Sequence, residues 1–206
     1  MQSASLRVYG GVAGGERQVE RRARLIEAGL ELLGTDAGGP GLTVRGVCKQ
    51  AGLAARYFYE SFADRDALAI AVFDHVVSDI ATTTLEAVKQ ARQDARARTR
   101  AALDNIVRHI GADKRRGRML FSPALSTPVL VQRRVESAKM FARLLGGQAQ
   151  DFAGAAGDAR LELVTEFLVG GMAQLLTSWL NSSLDVSADD IVEHCTEIFL
   201  AVGRLG

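Results

Sequence analysis

Proline is scarce in this chain of 206 residues, which contains Pro40, Pro123 and Pro128 and no others. Aromatic residues are also few, at 6%, whereas hydrophobic residues together make up 48%. Because proline is rare and alanine, leucine, arginine and glutamate dominate, the composition favours helices over a turn-rich sandwich. We therefore expect an all-α fold with enough apolar side chains to bury a sizeable core.

Cysteine is equally scarce, and Cys48 and Cys195 lie too far apart for metal-ligand spacing. We expect no metal site and no disulfide framework, and a reducing cytoplasm suits this usage. The N-terminal residues lack the apolar stretch of a signal peptide, and we expect no segment to span a membrane. HExxH, GxSxG, GxxxxGK[ST] and CxxC motifs are all missing. An enzyme or a bound cofactor is therefore not expected.

The net charge of +1 says little about partners because the charge is unevenly distributed. Residues 89–118 carry ten Lys or Arg against three Asp or Glu, whereas residues 119–206 carry six against ten. A nucleic-acid binder needs positive charge only on its docking face. The overall balance therefore neither supports nor excludes DNA binding. Within the basic stretch, residues 114–118 are interpreted as a solvated loop.

Helical periodicity extends over most of the chain, with no alternating strand pattern. Residues 1–16 hold four glycines without periodicity and are expected to form a flexible arm. Apolar rows then predict a three-helix unit over residues 17–66 and a helical body over residues 67–206. The long helix that opens the body is expected from about Arg65 toward Gln90, and we expect about nine helices in total.

Two short helices near the N-terminus carry the functional signal. Thr43 is placed to cap the first, Gly52 supplies a tight turn, and the second is expected over residues 54–61. Phe58 and Phe62 are expected to point inward. This arrangement predicts a helix-turn-helix, in which the second helix protrudes from the protein surface and fits the major groove of DNA.

The outward side chains of that second helix suit contacts with DNA. Arg56 can grip guanine with two donors, and the hydroxyls of Tyr57 and Tyr59 can reach phosphates. The alternatives are that the tyrosines are partly buried packing residues and that Arg56 is merely solvated.

Over about residues 20–75 the sequence resembles the tetracycline-repressor (TetR) family. The resemblance rests on the Thr43 cap, the Ala51-Gly52 turn and the Tyr59-Glu60-Ser61-Phe62 motif, followed by residues 64–68. It implies phosphate contacts by Thr43, Arg45, Tyr59 and Arg65, and base contacts by Ala55, Arg56 and Tyr57. The sequence departs from the family pattern at Ala54, where Ser or Thr is common.

The resemblance also implies a cytoplasmic homodimer that binds a roughly palindromic DNA operator. The expected function is a repressor released by a small hydrophobic ligand; an activator or a ligand-insensitive regulator is the alternative. The expected ligand-binding side chains are Val77, Ile106, Ile110, Met119, Phe121, Phe141, Phe167 and Gln174. The expected dimer interface, if this stripe is not simply core, consists of Leu161, Val164, Leu168, Met172, Leu175 and Trp179.

Overall fold

The backbone of a computed structural model is described for residues 12–35, 42–122, 125, 127–153 and 159–203. Side chains are described in the same ranges except at residues 12–14, 141–162, 165 and 203. These ranges contain helices and no strand, so the expected all-α fold is confirmed. The helices are α1 (Val12–Leu33), α2 (Val44–Ala51), α3 (Ala55–Tyr59), α4 (Arg65–Gln90), α5 (Ala95–Ala112), α6 (Lys114–Phe121), α7 (Pro128–Ala153), α8 (Ala159–Leu180) and α9 (Ala188–Gly203).

Helix α1 begins earlier than its apolar periodicity indicates. The expected flexible arm of residues 1–16 overlaps α1, which starts at Val12 rather than Arg17. Residues 1–11 lie outside the described part of the chain. Glycines near position 15 conceal the helix start because they weaken helix propensity without preventing a helix.

The core is built around α4, which packs against α1, α5, α6 and α7. Its Leu68 and Val72 are fully buried. At Gly29 of α1 an added Cβ would lie 2.8 Å from Cγ2 of Val72, closer than carbon atoms can approach. The glycine therefore allows α1 and α4 to pack at short range, which joins the N-terminal unit to the body.

By length and composition alone, an 18-residue stretch of α4 could cross a membrane, contrary to the expectation that no segment qualifies. The core helix of a soluble protein passes the same test. Here Asp74 and Asp79 of α4 form ion pairs with arginines of α7 and α6. Because its apolar side is buried in the bundle, α4 is a core helix of this structure.

Charge complementarity accompanies the packing of α5 on α9. The basic stretch contributes Arg96, Arg100 and Arg108 to α5, and these residues pair with Glu193, Glu197 and Asp189 of α9. All of these side chains remain partly exposed, so water and salt screen each pair and its contribution to stability is small. Much of the positive charge of residues 89–118 is thus paired with carboxylates of the same chain.

Residues 114–118 were interpreted as a solvated loop, and this interpretation is wrong. They form most of α6, and Asp113 caps the helix by accepting from the backbone N–H of Arg115. The Arg115 guanidinium donates to Glu27 of α1 at 2.9 Å, to Glu31 of α1, and to Asp113 at 2.7 Å. Through Arg115, this basic stretch therefore connects α6 of the body with α1.

Gly117 tests the close packing of α6. An added Cβ would lie 2.8 Å from Cγ2 of Ile110 and would also press on Leu180. We expect Gly117→Ala to lower the free energy of unfolding by about 1–3 kcal/mol, since overpacking outweighs the gain in helix propensity. Urea unfolding followed by circular dichroism measures the change.

Gly15→Ala is the matched control, because nothing lies within 4 Å of the Cβ that it adds. Its stability should stay the same or rise by up to about 1 kcal/mol. Equal unfolding free energies for the two variants would contradict the packing of α6 described above.

Candidate DNA-binding helix and ligand cavity

The turn between α2 and α3 has the geometry expected from the sequence. The Thr43 hydroxyl accepts from the backbone N–H of Gly46 at 3.1 Å, which caps α2. Gly52 adopts a left-handed conformation with φ of 64°, and the N–H of Leu53 donates to the carbonyl of Cys48 at 2.9 Å. Ala54 precedes α3 without a side-chain cap. Helix α2 is thus capped at both ends, whereas α3, which has no side-chain cap at its start, spans only Ala55–Tyr59.

Arginines of α1 hold these two short helices, and the sequence analysis did not identify them. Nη2 of Arg24 donates to the carbonyl of Ala51 at 2.5 Å, at the C-terminal end of α2. The Arg21 guanidinium lies 4.5 Å from the ring centre of Tyr57 and 3.5 Å from the Glu60 carboxylate. The sequence does not reveal such contacts, because an arginine on the polar side of an amphipathic helix falls at the same spacing whether it faces solvent or another helix.

The predicted base-reading side chains have different surroundings. Arg56 is exposed, lies 4.6 Å from the ring centre of Tyr57, and donates to the Tyr57 hydroxyl at 2.7 Å. Tyr57 is half-buried, whereas Ala55 is exposed. Phe58 is fully buried, as expected. Arg56 and Tyr57 therefore form one stacked unit on the surface of α3.

The predicted phosphate-contacting residues surround α3 and are all exposed: Thr43, Arg45, Tyr59 and Arg65. Tyr59 is 62% exposed, unusual for an aromatic residue next to a buried phenylalanine. The Arg65 side chain makes only a loose pair with Asp66 at 3.7 Å. These side chains frame an accessible helix with cations and hydroxyls, a combination suited to phosphate oxygens.

A cavity of about 560 Å³ lies in the body between α4, α5, α7 and α8. Its described walls are mainly aliphatic, and Val77 and Ile80 of α4 contribute to them. This volume falls within the range of small-molecule sites. Arg98 and Arg134 also line the cavity, although the sequence analysis identified neither. Arg134 follows the buried Leu130 by one helical turn, a spacing that places it on the inward row of α7.

Five of the eight predicted ligand-binding residues line this cavity: Val77, Ile106, Ile110, Phe121 and Gln174. Met119 is instead fully buried in the packed core, and Phe167 is 75% exposed on α8; neither is among the described residues that line the cavity. The side chain of Phe141 lies outside the described residues. Helical spacing identifies apolar rows but not which members of a row border a cavity.

The C-terminal half of the predicted dimer stripe on α8 is partly buried within one subunit, and the predicted interface stays a prediction. Met172, Leu175 and Trp179 pack against the core of the same subunit. Trp179 lies against Gly111 and donates from Nε1 to the carbonyl of Val186 at 3.0 Å. Val164 and Leu168 are half-buried, and the side chain of Leu161 lies outside the described residues.

The next apolar row of α8 is largely exposed. Leu163 and Phe167 are 73% and 75% exposed, and the row continues with Gly171 and with Gly170, which also borders the cavity; nothing lies within 4 Å of a Cβ added to either glycine. Ile198 of α9 is 50% exposed. We refer to these five residues as the α8–α9 face. The two rows differ by about one residue in helical phase, which composition alone cannot distinguish.

No family model matches the sequence. Curated relatives include the HTH-type transcriptional regulator BetI of Burkholderia cenocepacia, which is 36% identical over 89 residues, or 43% of this chain and 45% of the relative. The BetI regulator of Burkholderia ambifaria is 37% identical over 87 residues, or 42% of this chain and 44% of the relative. The chain thus matches less than half the length of these relatives.

Solved structures match almost the whole chain. A TetR-like transcriptional regulator from Rhodococcus sp. has a TM-score of 0.70 at 14% identity, covering 90% of this chain and 96% of that one. A TetR family transcription regulator from Marinobacter aquaeolei has a TM-score of 0.66 at 18% identity, covering 91% and 97%. The fatty acid degradation regulator FadR from Bacillus halodurans has a TM-score of 0.73 at 16% identity, covering 87% and 94%. The chain has the fold of TetR-type transcriptional regulators.

Arg24 tests how α1 holds the helix-turn-helix. Arg24→Met keeps the apolar stem but removes the hydrogen bond to the Ala51 carbonyl. We expect the free energy of unfolding to fall by about 1–2 kcal/mol and amide exchange in α2 and α3 to accelerate. Denaturant unfolding and hydrogen exchange with mass spectrometry provide the two measurements.

Arg45→Met is the control, since Arg45 is exposed on α2 and makes no hydrogen bond or ion pair within the described residues. Its unfolding free energy should change by less than about 0.5 kcal/mol. If Arg24→Met and Arg45→Met have the same exchange rates in α2 and α3, the Arg24 bond does not hold the motif.

Proposed function

We propose that this protein is a sequence-specific DNA-binding transcriptional regulator of the TetR family that acts in the cytoplasm without catalysing a reaction. The observation that carries the proposal is the exposed face of α3, which stands on a buried Phe58 and is held from behind by α1. Its relatives are transcriptional regulators, and its fold is theirs. A short helix that is packed against the domain and exposes Arg and Tyr side chains suits the major groove of DNA.

Each exposed residue has a proposed role on DNA. Arg56, stacked on Tyr57 beside Ala55, reads base edges, because a guanidinium can donate two hydrogen bonds to guanine. Tyr59, Arg65, Thr43 and Arg45 contact phosphates and so set the position of α3 in the groove.

Replacing Arg65 and Arg56 separates these roles. A preferred duplex is first selected from a random library with the unchanged protein. Arg65→Ala should weaken binding to every duplex and reduce the slope of log affinity against log salt by about 1. Arg56→Ala should instead lose about 1–3 kcal/mol of discrimination at one or two base pairs. Fluorescence anisotropy over a salt series measures both effects.

Arg92→Ala is the matched control for the lost charge. Arg92 pairs loosely with Asp94 at 3.7 Å, as Arg65 does with Asp66, but lies in the segment that follows α4, whereas Arg65 begins that helix. Arg92→Ala should leave affinity and salt slope unchanged. An Arg56→Ala variant that keeps the full sequence preference would show that Arg56 does not read bases.

We propose further that two copies associate through the α8–α9 face. An exposed apolar row with two adjacent glycines allows close helix approach, and leaving it in water is unfavourable. A symmetric pair would present two α3 helices to successive major grooves, so the operator should be roughly palindromic.

Phe167→Glu tests the dimer. We expect the variant to be monomeric in light scattering and to lose at least ten-fold in affinity for a palindromic duplex, because a carboxylate would be buried in the interface. Val19→Glu is the control, since Val19 of α1 is 70% exposed and distant in sequence from α8. If Phe167→Glu remains a dimer, the proposed face is wrong.

The body is proposed to bind a small, largely apolar ligand that releases the protein from its operator. The cavity supports this proposal because its walls include Val77 and Ile80 of α4, the helix that follows the recognition helix. A repressor is favoured, with an activator or a ligand-insensitive regulator as the alternative. Operator affinity measured with and without ligand distinguishes ligand release from ligand insensitivity.

A further inference from the structure

The described wall of the cavity carries positive charge without negative charge. Arg98 of α5 and Arg134 of α7 both contribute to it, and no aspartate, glutamate, lysine or histidine is present among its described residues. The remaining polar groups, such as Thr84 and Ser137, are neutral. In a mainly aliphatic cavity this imbalance makes the electrostatic potential positive.

Arg134 differs from the other arginines around it. Its neighbour Arg133 pairs with Asp74 and Glu136, each at 3.0 Å, and Arg115 and Arg116 of α6 pair with carboxylates as well. Arg134 donates from Nη2 to the backbone carbonyl of Met119 at 3.1 Å, and within the described residues it has no carboxylate partner. Its Nε is buried and has no hydrogen-bond partner there.

A guanidinium in such surroundings is costly for the folded protein. Burial lowers the pKa of Arg134, but an arginine side chain still stays charged at neutral pH. A buried cation without a counterion is destabilising, and an anion brought beside it offsets this cost. The carbonyl of Met119 holds the guanidinium in place but supplies no charge. Within the described residues, Arg134 is therefore held in position by a hydrogen bond but has no counterion.

We propose that the cavity ligand is an amphiphilic organic acid whose anionic head pairs with Arg134 and whose apolar part lies against the aliphatic walls. The ligand-binding role of the body is the proposed function, and this inference specifies the chemical class of that ligand. Arg98 lines the same wall. A charge-assisted hydrogen bond to Arg134 favours a carboxylate over a neutral head group. Gln174, expected earlier to orient the ligand, is exposed and bonds to Ser178.

Matched acids and amides test this proposal without DNA. Octanoate, decanoate and 4-butylbenzoate, each paired with its primary amide, are titrated calorimetrically into the full-length protein at pH 7.5. Each pair differs in charge but hardly in shape. We expect at least one acid to bind about ten-fold more tightly than its amide, the size typical of a charge-assisted hydrogen bond.

Arg134→Met should reduce this preference to less than about two-fold while keeping the cavity apolar, and Arg134→Lys should restore part of it. Arg133→Met is the control, because Arg133 is the neighbouring arginine, is already paired and does not line the cavity. It should keep the full preference. Circular dichroism confirms that each variant is folded, and Arg134→Gln, which is also uncharged, takes the place of Arg134→Met if that variant does not fold.

Amides that bind as tightly as acids, an acid preference that survives in both Arg134 variants, or no binding by any acid would each overturn the proposal. The outcome is independent of the regulator function, since no DNA is present. If acids bind through Arg134 but leave operator affinity unchanged, ligand release is wrong and the ligand class stands. If no acid binds and another compound releases the protein from its operator, the proposed ligand class is wrong and ligand release stands.

Discussion

The structure depends on one continuous helix, α4, which belongs both to the N-terminal unit and to the body. Its first turns bury Leu68 and Val72 against α1, and its middle turns carry Val77 and Ile80 to the cavity wall. An uninterrupted helix is stiff over this distance, because each turn is hydrogen-bonded to the next. We therefore expect a shift of its middle to move its start, which follows directly on α3.

The second connection between the two parts is electrostatic. Arg115 of α6 binds Glu27 and Glu31 of α1, and an added Cβ at Gly34 would lie 2.8 Å from the Arg115 backbone. The Arg115 hydrogen bond is the main influence that holds the pKa of Asp113 below its usual value, so that carboxylate stays ionised at neutral pH. Because α4 and α6 both contact α1, a change in their relative position must alter how α1 holds α2 and α3.

Sequence reasoning succeeded where the signal is local and partly failed where it depends on helical phase. The cap at Thr43, the turn at Gly52 and the inward Phe58 follow from backbone requirements that a few residues express. The two apolar rows of α8 cannot be told apart in the same way, because adjoining rows look alike until the neighbouring helices are known. Arg134 was missed for the related reason that the sequence does not show whether an arginine is half-buried at a cavity wall or fully solvated.

The central claim is that the cavity and the recognition helix are coupled through α4. Coupling between two sites is reciprocal, so a ligand that weakens operator binding must itself bind more weakly to the operator-bound protein, by the same factor. Equal ligand affinity for both conformations would shift nothing. The direct measurement is calorimetric titration of an acid that binds the cavity, performed on the free protein and on its complex with the selected duplex. The account predicts weaker binding to the complex, by the factor found for DNA release; equal affinities in the two titrations would contradict it.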